Sequence, residues 1–321
     1  MNDEMLVSVS AFPKICDNNC AFLKILSENF GVEVVALNEK IAGNGDVRGI
    51  ERAASVLEAM DTMLSKDQQM DAISVRYLCT LAKENRLDAF MEEESPVILV
   101  TPGGRSVRAK TLGQRMYVDA MSKNDVVICR GPAGSGKTFL GVAMAVLALR
   151  NRSVSRIILT RPAVEAGEKL GYLPGDIEEK VDPYMRPIYD ALLELMGREQ
   201  FERNLDRGII EVSPLAYMRG RNLDDSFILL DEAQNTTIEQ MMMFLTRMGM
   251  NSRACVCGDT TQIDLPSGYK NGLDDAISVL SKVEGIATVS LLESDILRNP
   301  LVQKIIMAYN ARGRRNGSHA Q

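Results

Sequence analysis

The sequence predicts an α/β protein: a large part built on a mostly parallel sheet, preceded by a small α+β unit. Three observations predict it. Apolar runs at 125–129, 156–160, 209–212, 227–231, 253–258 and 286–292 alternate with helical segments, the pattern of parallel strands covered on both faces. The first run leads into a glycine-rich loop, Gly131-Pro132-Ala133-Gly134-Ser135-Gly136-Lys137-Thr138, which opens a helical stretch from Phe139 to Leu149. The fourth run, Phe227-Ile228-Leu229-Leu230, ends in two carboxylates, Asp231 and Glu232.

The chain of 321 residues is long enough for two domains. Residues 1–66 read as a βαββα unit. Strands are expected at Leu6 to Val9, Val32 to Leu37 and Glu39 to Ala42, with a helix from near Asn18 to Phe30. Gly43-Asn44-Gly45-Asp46 reads as a turn, followed by a helix with Ile50, Ala53, Ala54, Leu57 and Met60 on one face. Residues 67–96 read as one polar helix and an acidic link. Residues 97–311 form the large domain, opening on a hairpin around Pro102-Gly103-Gly104, and 312–321 read as a flexible tail.

Mean hydropathy is −0.07, and no run of 18 apolar residues suggests a transmembrane helix, so no membrane partner is expected. Met1 to Ser10 carries Asp3 and Glu4 and lacks the basic start of a secretory leader. The six cysteines have no zinc-site spacing and the single histidine is His319, which disfavours histidine-based chemistry. Cys129, Cys255 and Cys257 lie in apolar runs and read as reduced core thiols of a cytoplasmic protein. The net charge of −6 divides into −4 on 1–66, −4 on 67–96 and +2 on the remainder. Bulk charge therefore attracts no polyanion, and any nucleic-acid contact falls to local arginines.

The loop 131–138 fits G-x-x-x-x-G-K-[ST] between a strand and a helix, a spacing that gathers backbone N–H groups around phosphate oxygens. Gly131, Pro132, Ala133, Gly134, Ser135 and Gly136 would line a nucleotide's phosphates. Lys137 would bridge the β- and γ-phosphates, and the Thr138 hydroxyl would hold Mg²⁺. Asp231 is the natural further Mg²⁺ anchor, and Glu232 is placed to orient or deprotonate an attacking water.

Other polar residues stand at strand ends. Gly258-Asp259-Thr260-Thr261-Gln262 offers Gln262 as a γ-phosphate or water contact, or as an ordinary loop amide. Thr160-Arg161-Pro162, then Glu165, Glu168 and Gly171 to Asp176, fit a substrate-facing loop or a plain connection. Gln114 is a candidate reader of an adenine edge. Arg298, Arg247, Arg219 and Arg221 are candidates for a transition-state contact, with Arg298 alternatively paired to Asp295.

Taken together these segments resemble the PhoH-like P-loop ATPases over about residues 97–310. The motifs that carry the likeness are Lys110 to Gln114, the phosphate loop, Thr160 to Glu168, Asp231 to Thr237, Phe244 to Gly249 and Gly258 to Pro266. The first 66 residues resemble the KH-like unit of the longer, YbeZ-type members, without a clear Gly-x-x-Gly clamp. Members carry a histidine after the arginine that corresponds to Arg298; this chain has Asn299. The resemblance implies a RecA-like P-loop NTPase core and Mg²⁺-dependent ATP hydrolysis coupled to RNA metabolism. It also implies a homo-oligomeric ring, a hexamer being one form, RNA as a ligand and a small metal-dependent endoribonuclease as a partner. The competing readings are a nucleotide-gated assembly or timer protein and a P-loop kinase.

Overall fold

The computed structural model describes residues 2–66, 68, 70–92, 95–162, 177–266, 268–297, 301–302 and 305. Its contacts divide the chain into two compact units, one of residues 1–94 with 297–321 and one of residues 95–296.

The first unit opens with β1 (Asn2–Val7), α1 (Phe12–Phe30), β2 (Glu33–Leu37), β3 (Lys40–Asp46) and α2 (Val47–Ser65), the expected βαββα order. The strands form an antiparallel sheet in the order β1-β3-β2. Three boundaries differ from expectation, the first being β1, which runs over Asn2–Val7 instead of Leu6 to Val9. Helix α1 starts at Phe12, with a proline in its first turn where the missing N–H costs nothing. The segment Gly43 to Asp46 is strand, not turn. Its glycines answer close packing: a Cβ on Gly45 would lie 2.5 Å from Val32 Cγ1 and 3.2 Å from Val32 Cα. Asp46 ends the strand and caps α2, its carboxylate accepting from Arg48 N and Gly49 N at 3.1 and 3.3 Å.

Where the sequence suggests one polar helix after residue 66, there are two, α3 (Ala72–Lys83) and α4 (Leu87–Glu92). Helix α3 buries Val75, Tyr77, Leu78, Cys79, Leu81 and Ala82 and packs on α1 and α2. Burial opposes ionisation of Asp61, but N–H and hydroxyl donors from Ala11 and Ser10 outweigh it and hold the carboxyl below its usual range.

The second unit begins with a short hairpin, β4 (Leu99–Val100) and β5 (Ser106–Val107), followed by α5 (Leu112–Lys123). Its sheet holds β6 (Val126–Arg130), β7 (Arg156–Arg161), β8 (Ile210–Pro214), β9 (Ser226–Leu230), β10 (Arg253–Gly258) and β11 (Ile286–Ser290). All six predicted strands are present. Every pairing is parallel, and the order is β11-β6-β10-β9-β7-β8. The α/β prediction with a parallel sheet therefore holds.

Strand β9 is buried along its whole length, because it is central and covered on both faces. Phe227 and Leu229 face a core shared with α5, α6 (Lys137–Arg150) and α7 (Ile177–Met196). Ile228 and Leu230 face a second core with α9 (Ile238–Leu245) and α10 (Gly272–Leu280). Helix α8 (Arg198–Asp206) adds Phe201 to the first core. No helix among the described residues is long and apolar enough to cross a membrane.

The cysteines Cys129, Cys255 and Cys257 are free and buried, as expected. Tyr117, fully enclosed, places its hydroxyl 2.8 Å from Cys255 Sγ and 3.2 Å from Cys257 Sγ beneath α6. Desolvation, and then the neighbouring thiols, push its phenol far up, so it stays neutral.

Two outcomes follow. Gly45→Ala is expected to destabilise the first unit by about 1–3 kcal/mol, because Val32 must yield to the new methyl. Urea unfolding followed by a probe in residues 1–92 measures this. In the second unit Glu211 pairs with Arg221 Nη2 at 2.7 Å. That hydrogen bond depresses the carboxyl against the opposing effect of desolvation. The pair's contribution is complete above the ordinary glutamate value of 4.5 and fades as the pH falls through the lowered one. Glu211→Gln should cost about 1–2 kcal/mol at neutral pH. The difference from the parent should shrink in unfolding curves at about pH 3.

Candidate nucleotide site

The site lies at the carboxyl ends of β6, β9, β10 and β7, where open parallel sheets present ligand-binding loops. The loop after β6 turns into α6 through two left-handed glycines, Gly134 at φ 85° and Gly136 at φ 86°. Ser135, buried, closes the loop on itself by donating from Oγ to the Pro132 carbonyl at 2.8 Å. Lys137 is also buried and folds back into the loop, its Nζ donating to the Gly131 and Pro132 carbonyls at 2.7 and 2.9 Å. Helix α6 starts from Gly136 without a side-chain cap, whereas Thr111, Thr237 and Asn271 cap α5, α9 and α10. Its first-turn N–H groups and dipole thus face the loop's interior, beside an ammonium group.

Asp231 follows β9 and is 3% exposed at its side chain. Thr138, in the first turn of α6, donates its hydroxyl to Asp231 Oδ1 at 2.7 Å. Arg161, the last residue of β7, donates Nε to Asp231 Oδ2 at 2.8 Å and makes a second contact through Nη2. A hydroxyl and a carboxylate side by side are hard oxygen donors, the kind Mg²⁺ takes together with nucleotide phosphates. Thr138 and Asp231, the two residues expected to hold the metal, are thus brought together.

Glu232 adopts left-handed backbone, φ 54° and ψ 36°, costly for a residue with a Cβ and typical of functional sites. Its Oε2 accepts from Gln234 Nε2 at 2.6 Å. Gln234, fully buried, in turn accepts on Oε1 from the Asp259 N–H at 2.9 Å. Asp259 reaches the phosphate loop: its Oδ2 accepts from Ala133 N at 2.8 Å, and its Oδ1 from Thr261 N and Oγ1. Gly131 N also donates to the Gly258 carbonyl at 3.1 Å. This chain of bonds exists because β10 lies between β6 and β9.

The remaining sequence candidates fall as follows. Gln114 is buried beside the loop; its Oε1 accepts from Lys110 N at 2.7 Å and its Nε2 donates to the Ser135 carbonyl at 2.9 Å. Gln262 is exposed, its backbone N–H bonded to the Asp259 carbonyl. Arg221 is committed to Glu211, and Arg247 donates to the Arg221 and Met243 carbonyls. Arg219 is exposed. Asp295 is buried and accepts from the N–H groups of Gly113 and Leu292. Arg298, Glu165, Glu168, the segment 171–176 and the tail 312–321 lie outside the described residues.

Reading the sequence missed three contributions. The sequence places Gln234 and Asp259 in motifs without a role and reads Arg161 as part of a substrate-facing loop or a plain connection, whereas the structure sets it on Asp231. Arg161 ends β7 and Asp259 directly follows β10, which is the available signal for them, whereas Gln234 stands four residues beyond the end of β9. Removing Asp259 tests the chain of bonds directly. Asp259→Ala should speed amide exchange at Ala133 and Thr261 and cost about 1 kcal/mol, because two backbone N–H groups and the Thr261 hydroxyl lose their acceptor.

A family model described as "PhoH-like protein" matches residues 106–310. The PhoH-like protein of Bacillus subtilis is 48% identical over 293 residues, covering 91% of this chain and 92% of that one. The PhoH-like protein of Synechocystis is 46% identical, with 89% and 88% covered. Protein PhoH of Escherichia coli is 38% identical, with 83% and 80% covered. With a phosphate loop joined to a paired carboxylate on a parallel sheet, and relatives that match it over most of their length, this chain belongs to the PhoH-like protein family.

Proposed function

We propose that the chain is a Mg²⁺-dependent ATPase. The observation that carries this reading is the bond from Thr138 to Asp231, which joins the phosphate-loop helix to the strand end bearing Glu232. In this reading the loop N–H groups and Lys137 bind the phosphates and offset their charge. Mg²⁺, held by Thr138 and Asp231, would supply electrostatic stabilisation of the transferring phosphoryl group. Glu232 accepts a proton from the attacking water as a new P–O bond forms at the γ-phosphorus and the bond to the β-phosphate oxygen breaks, releasing ADP. Gln234 holds the Glu232 carboxylate, and Asp259 ties that arrangement to the loop through Ala133, so a change at the phosphates reaches Glu232. Gln114 supports the loop at Ser135 and is available to an adenine edge through its second amide hydrogen. Gln262 and Arg298 are proposed as γ-phosphate contacts, Arg298 from the same or a neighbouring subunit of a homo-oligomeric ring.

The proposed setting is RNA metabolism in the cytoplasm, with RNA and an endoribonuclease as partners. It rests on the resemblance of the motifs and not on charge. The first 66 residues carry −4, which disfavours phosphate contact there.

Phosphate release from ATP with Mg²⁺, with and without single-stranded RNA, tests the reading, with Lys137→Ala as the blank. Glu232→Gln should retain nucleotide affinity while turnover falls by about 10²–10⁴-fold. Normal turnover in that variant would remove Glu232 from the mechanism. Stimulation by RNA would support the RNA-coupled form. Transfer of phosphate to an organic acceptor would replace hydrolysis with a kinase.

A further inference from the structure

The two oxygens of Asp231 have different neighbours. Oδ1 accepts from the Thr138 hydroxyl. Oδ2 accepts twice from one guanidinium, through Arg161 Nε at 2.8 Å and through Nη2. A carboxylate oxygen offers two lone pairs, so Arg161 fills Oδ2. Arg161 is itself held in place: it ends β7, which runs beside β9 with Thr160 opposite Leu230, and its side chain is only 13% exposed. The guanidinium is therefore a fixed positive charge at the carboxylate of the metal site.

A hydrated Mg²⁺ at Thr138 would need acceptors on this same carboxylate, where the Thr138 hydrogen leaves one lone pair on Oδ1 and the guanidinium fills Oδ2. The Thr138 hydroxyl can keep its hydrogen on Oδ1 while its lone pair faces the cation. Guanidinium and hydrated cation would share one carboxylate, and they repel each other in a site partly shielded from solvent.

We propose that Arg161 is the internal countercation of Asp231 and sets the metal affinity of the site. It keeps the buried carboxylate paired and aimed at Thr138, and its charge opposes a cation bound beside it. Arg161 is thus a positioning residue whose removal tightens metal binding. This rests on the ATPase reading above.

The test is equilibrium binding of Mn²⁺, with free metal read by electron paramagnetic resonance in the presence of the β,γ-imido analogue of ATP. The parent is compared with Arg161→Met and Arg161→Lys. The apparent Kd for Mn²⁺ should fall by about three- to tenfold in Arg161→Met. Arg161→Lys keeps the charge but lacks the two-pronged contact, and should bind Mn²⁺ with an affinity between the two. Without metal or nucleotide, Arg161→Met should also melt below the parent, and saturating Mn²⁺ with the analogue should narrow that gap. An unchanged or higher Kd in cooperatively folded Arg161→Met would overturn the proposal. If that variant does not fold, an unchanged Kd in Arg161→Lys would overturn it. A parent that binds no Mn²⁺ with the analogue would defeat the ATPase reading and this inference together. Tight parent binding with unmoved variants defeats the inference alone.

Discussion

A carboxylate buried at the end of a central strand has to be paired, and the pairing of Asp231 is the constraint around which this site is arranged. An isolated buried charge costs far more than one hydrogen bond returns. Asp231 avoids that cost with a hydroxyl from α6 on one oxygen and a guanidinium from β7 on the other. Those contacts fix the helix that follows the phosphate loop against the sheet. They also set the position of the next residue, Glu232, whose left-handed backbone turns the chain sharply away from β9. The site's geometry is therefore a consequence of satisfying one charge.

The strand order provides the second link. Because β10 separates β6 from β9, the segment Gly258–Asp259 lies between the phosphate loop and the acidic strand end, bonded to both. Glu232, Gln234, Asp259 and Ala133 form one continuous path of hydrogen bonds. Buried polar paths of this kind reinforce one another when every member is satisfied and are costly to break. The path connects the phosphate loop to the Glu232 carboxylate.

Much of this was legible in the sequence. The six strands are continuous apolar runs because both faces of the sheet are covered, and that pattern is hard to mistake. The phosphate loop and Asp231 were legible because backbone geometry demands glycine and a hydroxyl at fixed spacing. Residues 43–46 were misread because glycine serves both turns and close packing, and only the neighbouring Val32 distinguishes the two. In the sequence helix α3 reads as polar because its charged residues hide a buried stripe from Val75 to Ala82. Arg161 reads as a loop residue in the sequence because a strand's last residue reveals its partner only once strand order is known. Gln114 was read for its amide edge, while the contact to Ser135 depends on how α5 meets the loop.

The central claim is that this strand-end constellation directs water to a γ-phosphate. Hydrolysis carried out in heavy-oxygen water, with mass analysis of both products, tests it most directly. The account predicts one solvent oxygen in the released inorganic phosphate and none in ADP. Label in the ADP, or release of phosphate only to an acceptor other than water, would contradict it.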